Sequence, residues 1–281
     1  MIRKSYTLQN KFNEDLLLDL RYDEGTREAP TIIIMHGFKG FKDWGFFPNL
    51  ASRLTDSGYA TICFNFTRNG IGNDLTNFTE LDKFAENTYS HELADLETVL
   101  EAVKSGAIGK HIVDPERLGL MGHSRGGAIA IMAARDHQDD FKALVTWSSI
   151  SNLYRYSNDQ IKQWENNGFI EIENTRTNQK MRLNKVFWDD LNKNKKRFDL
   201  LKAVEDIEIP SLFVHGEEDT SVPPSESEEL HDNCSAYSKR LELIEGANHT
   251  FGIKHPFDSD TPEYETACTL TEHWFDNNLV M

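Results

Sequence analysis

The 281-residue chain is 38% hydrophobic, enough apolar material to bury a full core and too much for a disordered segment. A formal net charge of −16 argues against nucleic acid and against an anionic membrane surface as partners, because both are bound through clustered Lys and Arg. No apolar run approaches a membrane span, and polar residues rather than an apolar stretch follow Met1-Ile2-Arg3-Lys4-Ser5; the odd, scattered Cys63, Cys234 and Cys268 suit neither a disulfide framework nor a zinc site.

These features together predict a cytoplasmic protein. Taken in order, residues 5–9 and 15–21 precede the first helix and are separated by Asn10-Lys11-Phe12-Asn13, which predicts an antiparallel hairpin at one sheet edge. Short apolar runs at 31–35, 59–64, 117–121, 142–147 and 211–215 read as strands buried on both faces. Between them, Tyr89, Leu93, Leu96, Leu100 and Val103 form one helical stripe with Gly106 as its stop, and 128–134 is a second apolar helix. Residues 241–244 read as the last strand and 263–277 as a C-terminal helix. Strands alternating with helices predict an α/β architecture, a mostly parallel central sheet with helices on both faces.

One region breaks the rhythm. Residues 151–202 lack the alternation, carry seven aromatics and hold 11 Lys and Arg against 7 Asp and Glu, inside a strongly acidic chain. They read as an inserted cap within a single domain spanning 1–281, with a small hairpin of 169–173 and 180–183 and most of its aromatics in a satellite core. Excising the insertion is then expected to change substrate range more than the catalytic residues, and unfolding of the excised chain would mean that the insertion is core rather than lid.

The chemistry concentrates in four places. Gly122-His123-Ser124-Arg125-Gly126 sits between a predicted strand and a predicted helix, the setting in which a serine is held on a strained turn flanked by nearly bare positions. A serine nucleophile needs a base and a third group to fix that base's tautomer. A buried strand runs through His215 into Glu217-Glu218-Asp219, and the last strand leads into Asn248-His249, so a carboxylate and a histidine fall at the C-terminal edge where open parallel sheets build active sites. Glu217 and Glu218 are rival acids, and His255 and His273 rival bases. The fourth place is the aromatic loop after His36-Gly37, where Phe38, Phe41 and Trp44, with Trp188 from the insertion, are candidate walls of an acyl pocket.

On these motifs the whole chain resembles the α/β-hydrolase superfamily, nearest its dienelactone-hydrolase-like, cinnamoyl-esterase-like and serine-aminopeptidase-like group. The resemblance implies an inserted cap, a Ser124–His249–Asp219 triad and an oxyanion hole made by the backbone N–H groups of Phe38 and Arg125. It implies acyl transfer through an acyl-enzyme, with no metal and no organic cofactor. The expected partner is a small-molecule ester, and the expected state a monomer or homodimer. A rival is an aminopeptidase or acylpeptide hydrolase using the same triad; a third reading is a non-catalytic binding protein on a hydrolase scaffold, which would resist fluorophosphonate labelling.

Overall fold

The computed structural model describes residues 1–72, 74 and 77–280. Eight strands form one sheet in the order β1-β2-β4-β3-β5-β6-β9-β10: β1 (Ile2–Gln9), β2 (Asp15–Tyr22), β3 (Ala29–Met35), β4 (Ala60–Phe64), β5 (Val113–His123), β6 (Phe141–Trp147), β9 (Ser211–Gly216) and β10 (Lys239–Ile244). From β4 to β10 all neighbours run parallel, while β1–β2 and β2–β4 are antiparallel, so the N-terminal hairpin caps one edge as expected. The strand around Arg117 begins earlier than its apolar run, because Asp114-Pro115-Glu116 lies in a stretch where the register against β3 shifts.

The period of two sends alternate residues of each strand to opposite faces. Ile33, Met35, Leu118 and Leu120 join one core with α3 (Tyr89–Lys104), α4 (Arg125–Asp136) and α7 (Leu200–Glu205). Ile32, Ile34, Met121 and Val145 join the other with α1 (Phe47–Asp56) and α9 (Pro262–Leu279). The α3 stripe of Tyr89, Leu93, Leu96, Leu100 and Val103 lies wholly in the first core, and the Thr88 side chain caps the helix by accepting from the His91 N–H. No described helix is long and apolar enough to cross a membrane.

The segment after β6 folds as α5 (Asn158–Asn167), a separate two-stranded sheet of β7 (Phe169–Asn174) and β8 (Gln179–Asn184), and α6 (Lys185–Lys193). Its aromatics do not make a satellite core. Trp164, Phe187 and Phe198 are at most 1% exposed and share the core of α3 and α4, with Phe187 packed on Tyr89 at 5.1 Å between ring centroids. Removing residues 151–202 is therefore expected to unfold the protein. Replacing only the tip, residues 175–178, by an Asn-Gly turn should leave the melting temperature within a few degrees, since none of those four is buried. A soluble, folded 151–202 deletion would show the segment to be dispensable after all.

Chain order reverses around β3, because β4 lies on one side of it and β5 on the other. The loops leaving the C-terminal ends of β3 and β5 diverge there, opening a crevice. The β5–α4 turn reaches it by close approach: a Cβ on Gly126 would stand 2.6 Å from the carbonyl oxygens of Met35 and His36, and one on Gly122 would overlap the Gly126 carbonyl. Both obstacles are backbone and cannot swing aside. Gly122→Ala should cost about 3 kcal/mol or more and lower the melting temperature by on the order of 8 °C; an unchanged melting temperature would show that the turn relaxes freely.

Candidate active site

Ser124 is the one residue between β5 and α4, with φ +56° and ψ −121°, a left-handed conformation that L-residues rarely adopt. Its N–H donates to the Trp147 carbonyl at 2.8 Å, which ties the apex to β6. The side chain lines a cavity of about 1130 Å³ that also receives Phe38, Arg125 and His249. In this conformation its hydroxyl has no hydrogen-bond partner among the described residues.

His249, in the loop after β10, donates from Nδ1 to Asp219 Oδ2 at 2.6 Å. Asp219 sits in the loop after β9 with its side chain fully buried, and each of its oxygens is occupied. Oδ1 accepts from the N–H groups of Ser221 at 2.8 Å and Val222 at 2.9 Å; Oδ2 also accepts from His215 Nε2 at 3.1 Å. Burial by itself would raise this carboxyl, but the hydrogen bonds from His215 and His249 hold it well below the usual carboxylate range. Glu217 and Glu218 are exposed at the surface, and His273 lies on the exposed side of α9. His255 lines the cavity but spends Nδ1 accepting the Gly45 N–H at 3.0 Å.

Two further histidines fix the loops. His36 accepts the Phe66 N–H on Nε2 at 3.3 Å and so donates from Nδ1 to the Gly37 carbonyl at 2.9 Å, tying the loop after β3 to the loop after β4. His123 donates from Nε2 to the His249 carbonyl at 2.9 Å. Burial lowers both, to about 4 and about 3, so they are neutral near pH 7 and keep these tautomers. The backbone N–H groups of Phe38 and Arg125 face no described protein acceptor, and α4 points the positive end of its dipole at the same place.

Phe41 and Trp44 line the cavity, although both are below 10% exposed and pack chiefly on His255, Phe78 and Phe46. Trp188 does not line it: the indole is half-buried and stacks on Trp164 at 5.6 Å between centroids. The insertion's contribution is instead the β7–β8 tip, Thr175-Arg176-Thr177-Asn178, with Arg155 and Tyr156. The tip is pinned by Arg176 Nη2 donating to the Lys39 carbonyl and by Lys39 Nζ donating to the Glu173 carbonyl at 3.1 Å.

The sequence motifs had not pointed to a role for His215, and left the Arg125 side chain as a candidate substrate contact beside its N–H. His215 donates from Nε2 to both Asp219 Oδ2 and the Val222 carbonyl, with Ser227 Oγ on Nδ1. Its position on the penultimate strand four residues before Asp219 was the available signal. The Arg125 guanidinium is buried under the rings of Tyr89, Phe38 and Phe187, at 4.3, 4.9 and 5.1 Å. It pairs with Glu92 of α3, Nε to Oε2 at 3.1 Å, across 33 positions of sequence that no motif spans.

A family model described as the prolyl oligopeptidase family matches residues 46–278. An uncharacterized 31.7 kDa protein in the traX-finO intergenic region of Escherichia coli is 22% identical to the chain, over 96% of this chain and 98% of its own length. The uncharacterized peptidase YuxL of Bacillus subtilis (strain 168) is 26% identical over 91% of this chain and 36% of its own. Among solved structures, Est1E from Butyrivibrio proteoclasticus superposes with a TM-score of 0.71 at 17% identity, covering 99% of each chain.

Proposed function

The chain belongs to the prolyl oligopeptidase family of α/β-hydrolases, and from that premise we propose that it is a cytoplasmic serine hydrolase cleaving carboxylic esters of small molecules through a Ser124–His249–Asp219 triad. The observation that carries this reading is Ser124 at positive φ on the wall of the cavity that receives His249, itself hydrogen-bonded to a fully buried Asp219. His249 removes the Ser124 proton as the hydroxyl attacks the carbonyl, then delivers it to the departing alcohol. Asp219 holds the Nδ1–H tautomer, leaving Nε2 free to accept that proton. The developing oxyanion is met by the Phe38 and Arg125 N–H groups, a contribution of about 3 kcal/mol per donor in comparable sites. Water then repeats the cycle on the acyl-enzyme, and His249 takes its proton in turn.

The β7–β8 tip, held to Lys39, is the cap of this reading: it narrows the mouth, while Trp164, Phe187 and Phe198 tie the rest of residues 151–202 to the main core. An aminopeptidase would need a carboxylate to receive the substrate's terminal ammonium, and no Asp or Glu lines the cavity. The family and the Bacillus relative keep amide cleavage in view as the rival. Release of nitrophenol from 4-nitrophenyl butyrate, set beside release of nitroaniline from alanyl and leucyl anilides, separates the two. A faster ester under matched conditions, by roughly 100-fold after correction for intrinsic reactivity, is the expected result; preference for the anilides would overturn the ester assignment.

A further inference from the structure

The cavity is lined by Lys39, Arg125, Arg155, Arg176 and Lys254 and, among the described residues, by no acid, although the whole chain holds 46 Asp and Glu against 30 Lys and Arg. Surface acids elsewhere neutralise most basic side chains, yet Lys39, Arg176 and Lys254 make no ion pair with a described residue. Burial of the Lys39 ammonium, with the Arg176 guanidinium beside it, lowers its pKa by more than the nearby Glu173 carboxylate restores, so positive charge is costly at this point of the mouth.

Deeper in, Arg125 is 4% exposed and its one ion pair among the described residues uses Nε; neither Nη1 nor Nη2 has a hydrogen-bond partner there, and of the two only Nη2 is sealed off. A buried guanidinium with an unused edge is a standing cost that an incoming oxygen would relieve. The phenols of Tyr89 and Tyr156 line the cavity beside it, and neither hydroxyl has a partner among the described residues. Ser124 and Arg125 are adjacent, with Cα atoms about 3.8 Å apart, and both line this cavity, so the guanidinium stands within one Arg side-chain length of the Ser124 backbone.

Building on the hydrolase reading above, we propose that the substrate is a half-ester of a short dicarboxylic acid. Its free carboxylate is bound by Arg125 with the Tyr89 and Tyr156 hydroxyls, and is drawn in by Lys39, Arg176 and Lys254 at the rim. The rings of Phe38, Tyr89 and Phe187 pack on the guanidinium and hold its plane, the first two from the cavity wall, which suits a planar, fork-shaped donor to a carboxylate. Glu92 balances the charge of Arg125 in the empty site and keeps the guanidinium in place.

Calorimetric titration of the Ser124→Ala protein with monoethyl glutarate and with the ethyl ester of glutaramic acid, which has the same shape and a neutral amide, tests the anion site without any turnover. The carboxylate should bind at least about tenfold more tightly, with an advantage that shrinks as salt is raised. Adding Arg125→Met together with Glu92→Gln, which leaves no unpaired buried charge, should erase the advantage. Arg176→Gln, at the exposed hairpin tip, should reduce it several-fold in a chain whose core is untouched. Equal affinity for the two esters, or an advantage that survives both sets of substitutions, overturns the proposal. Ethanol release by the unsubstituted protein reports separately on the hydrolase reading: Arg125-dependent binding without turnover would leave the anion site standing and remove the chemistry.

Discussion

Ser124→Ala is expected to lower kcat/KM on short acyl esters by about 10⁵-fold and to abolish fluorophosphonate labelling, with no loss of stability. The hydroxyl has no protein partner among the described residues, so its removal leaves nothing unsatisfied, and the +56° backbone angle is imposed by the turn whether Ser or Ala occupies it. What remains should be a small rate from the two backbone donors and from binding alone, since these are independent of the nucleophile. No thiol stands ready to substitute: Cys63, Cys234 and Cys268 are all buried, and burial raises the pKa of each. Steady-state kinetics on the purified variant, beside its melting curve, makes the check. Turnover retained within tenfold of the parent would show that a different group attacks the carbonyl.

The sequence made some parts of this molecule readable and hid others for physical reasons. Buried parallel strands must be nearly all apolar, so the runs at Ile32–Ile34 and Leu212–Val214 declared themselves, and the strand-turn-helix around Ser124 needed bare neighbours that only glycine supplies. Asp219 and His249 were legible because each follows a strand end. The Arg125–Glu92 pair was not, since it joins the start of one helix to the middle of another through a fold-dependent contact. Residues 151–202 misled in the other direction. Loss of strand-helix alternation looked like a surface excursion, yet periodicity cannot say which core an aromatic joins, and Trp164, Phe187 and Phe198 join the main one. Nor could composition reveal the basic cavity, because net charge is summed over the whole surface while the five basic side chains of the cavity come from five separate segments.

Asp219→Asn is the sharper test of how the histidine is held. The carboxylate accepts four hydrogen bonds, two on each oxygen, from Ser221, Val222, His215 and His249. An amide offers one oxygen and one NH₂, so wherever it faces, two donors lose their acceptor. If the oxygen stays with the backbone N–H groups, the NH₂ meets His249 Nδ1 and forces the proton to Nε2, the nitrogen that should be free for Ser124. The expected loss is about 10⁴-fold in kcat, the size seen when a triad acid becomes an amide in serine proteases. A cost of about 2 kcal/mol in stability should accompany it. The pH dependence gives that cost a sign. The folded carboxyl is held below its unfolded value near 3.9 by bonds from His215 and His249 that outweigh burial, so its stabilisation is complete above that pH and fades as pH falls. The stability gap between parent and variant should therefore close on acidification below about pH 4. His215→Ala, which removes the bonds to Asp219, the Val222 carbonyl and Ser227 but nothing on His249, should slow turnover far less while shrinking the same acid-sensitive gap. A variant Asp219→Asn with kcat near that of the parent would mean that His249 keeps its tautomer without the carboxylate, and that the buried acid serves the loop rather than the chemistry.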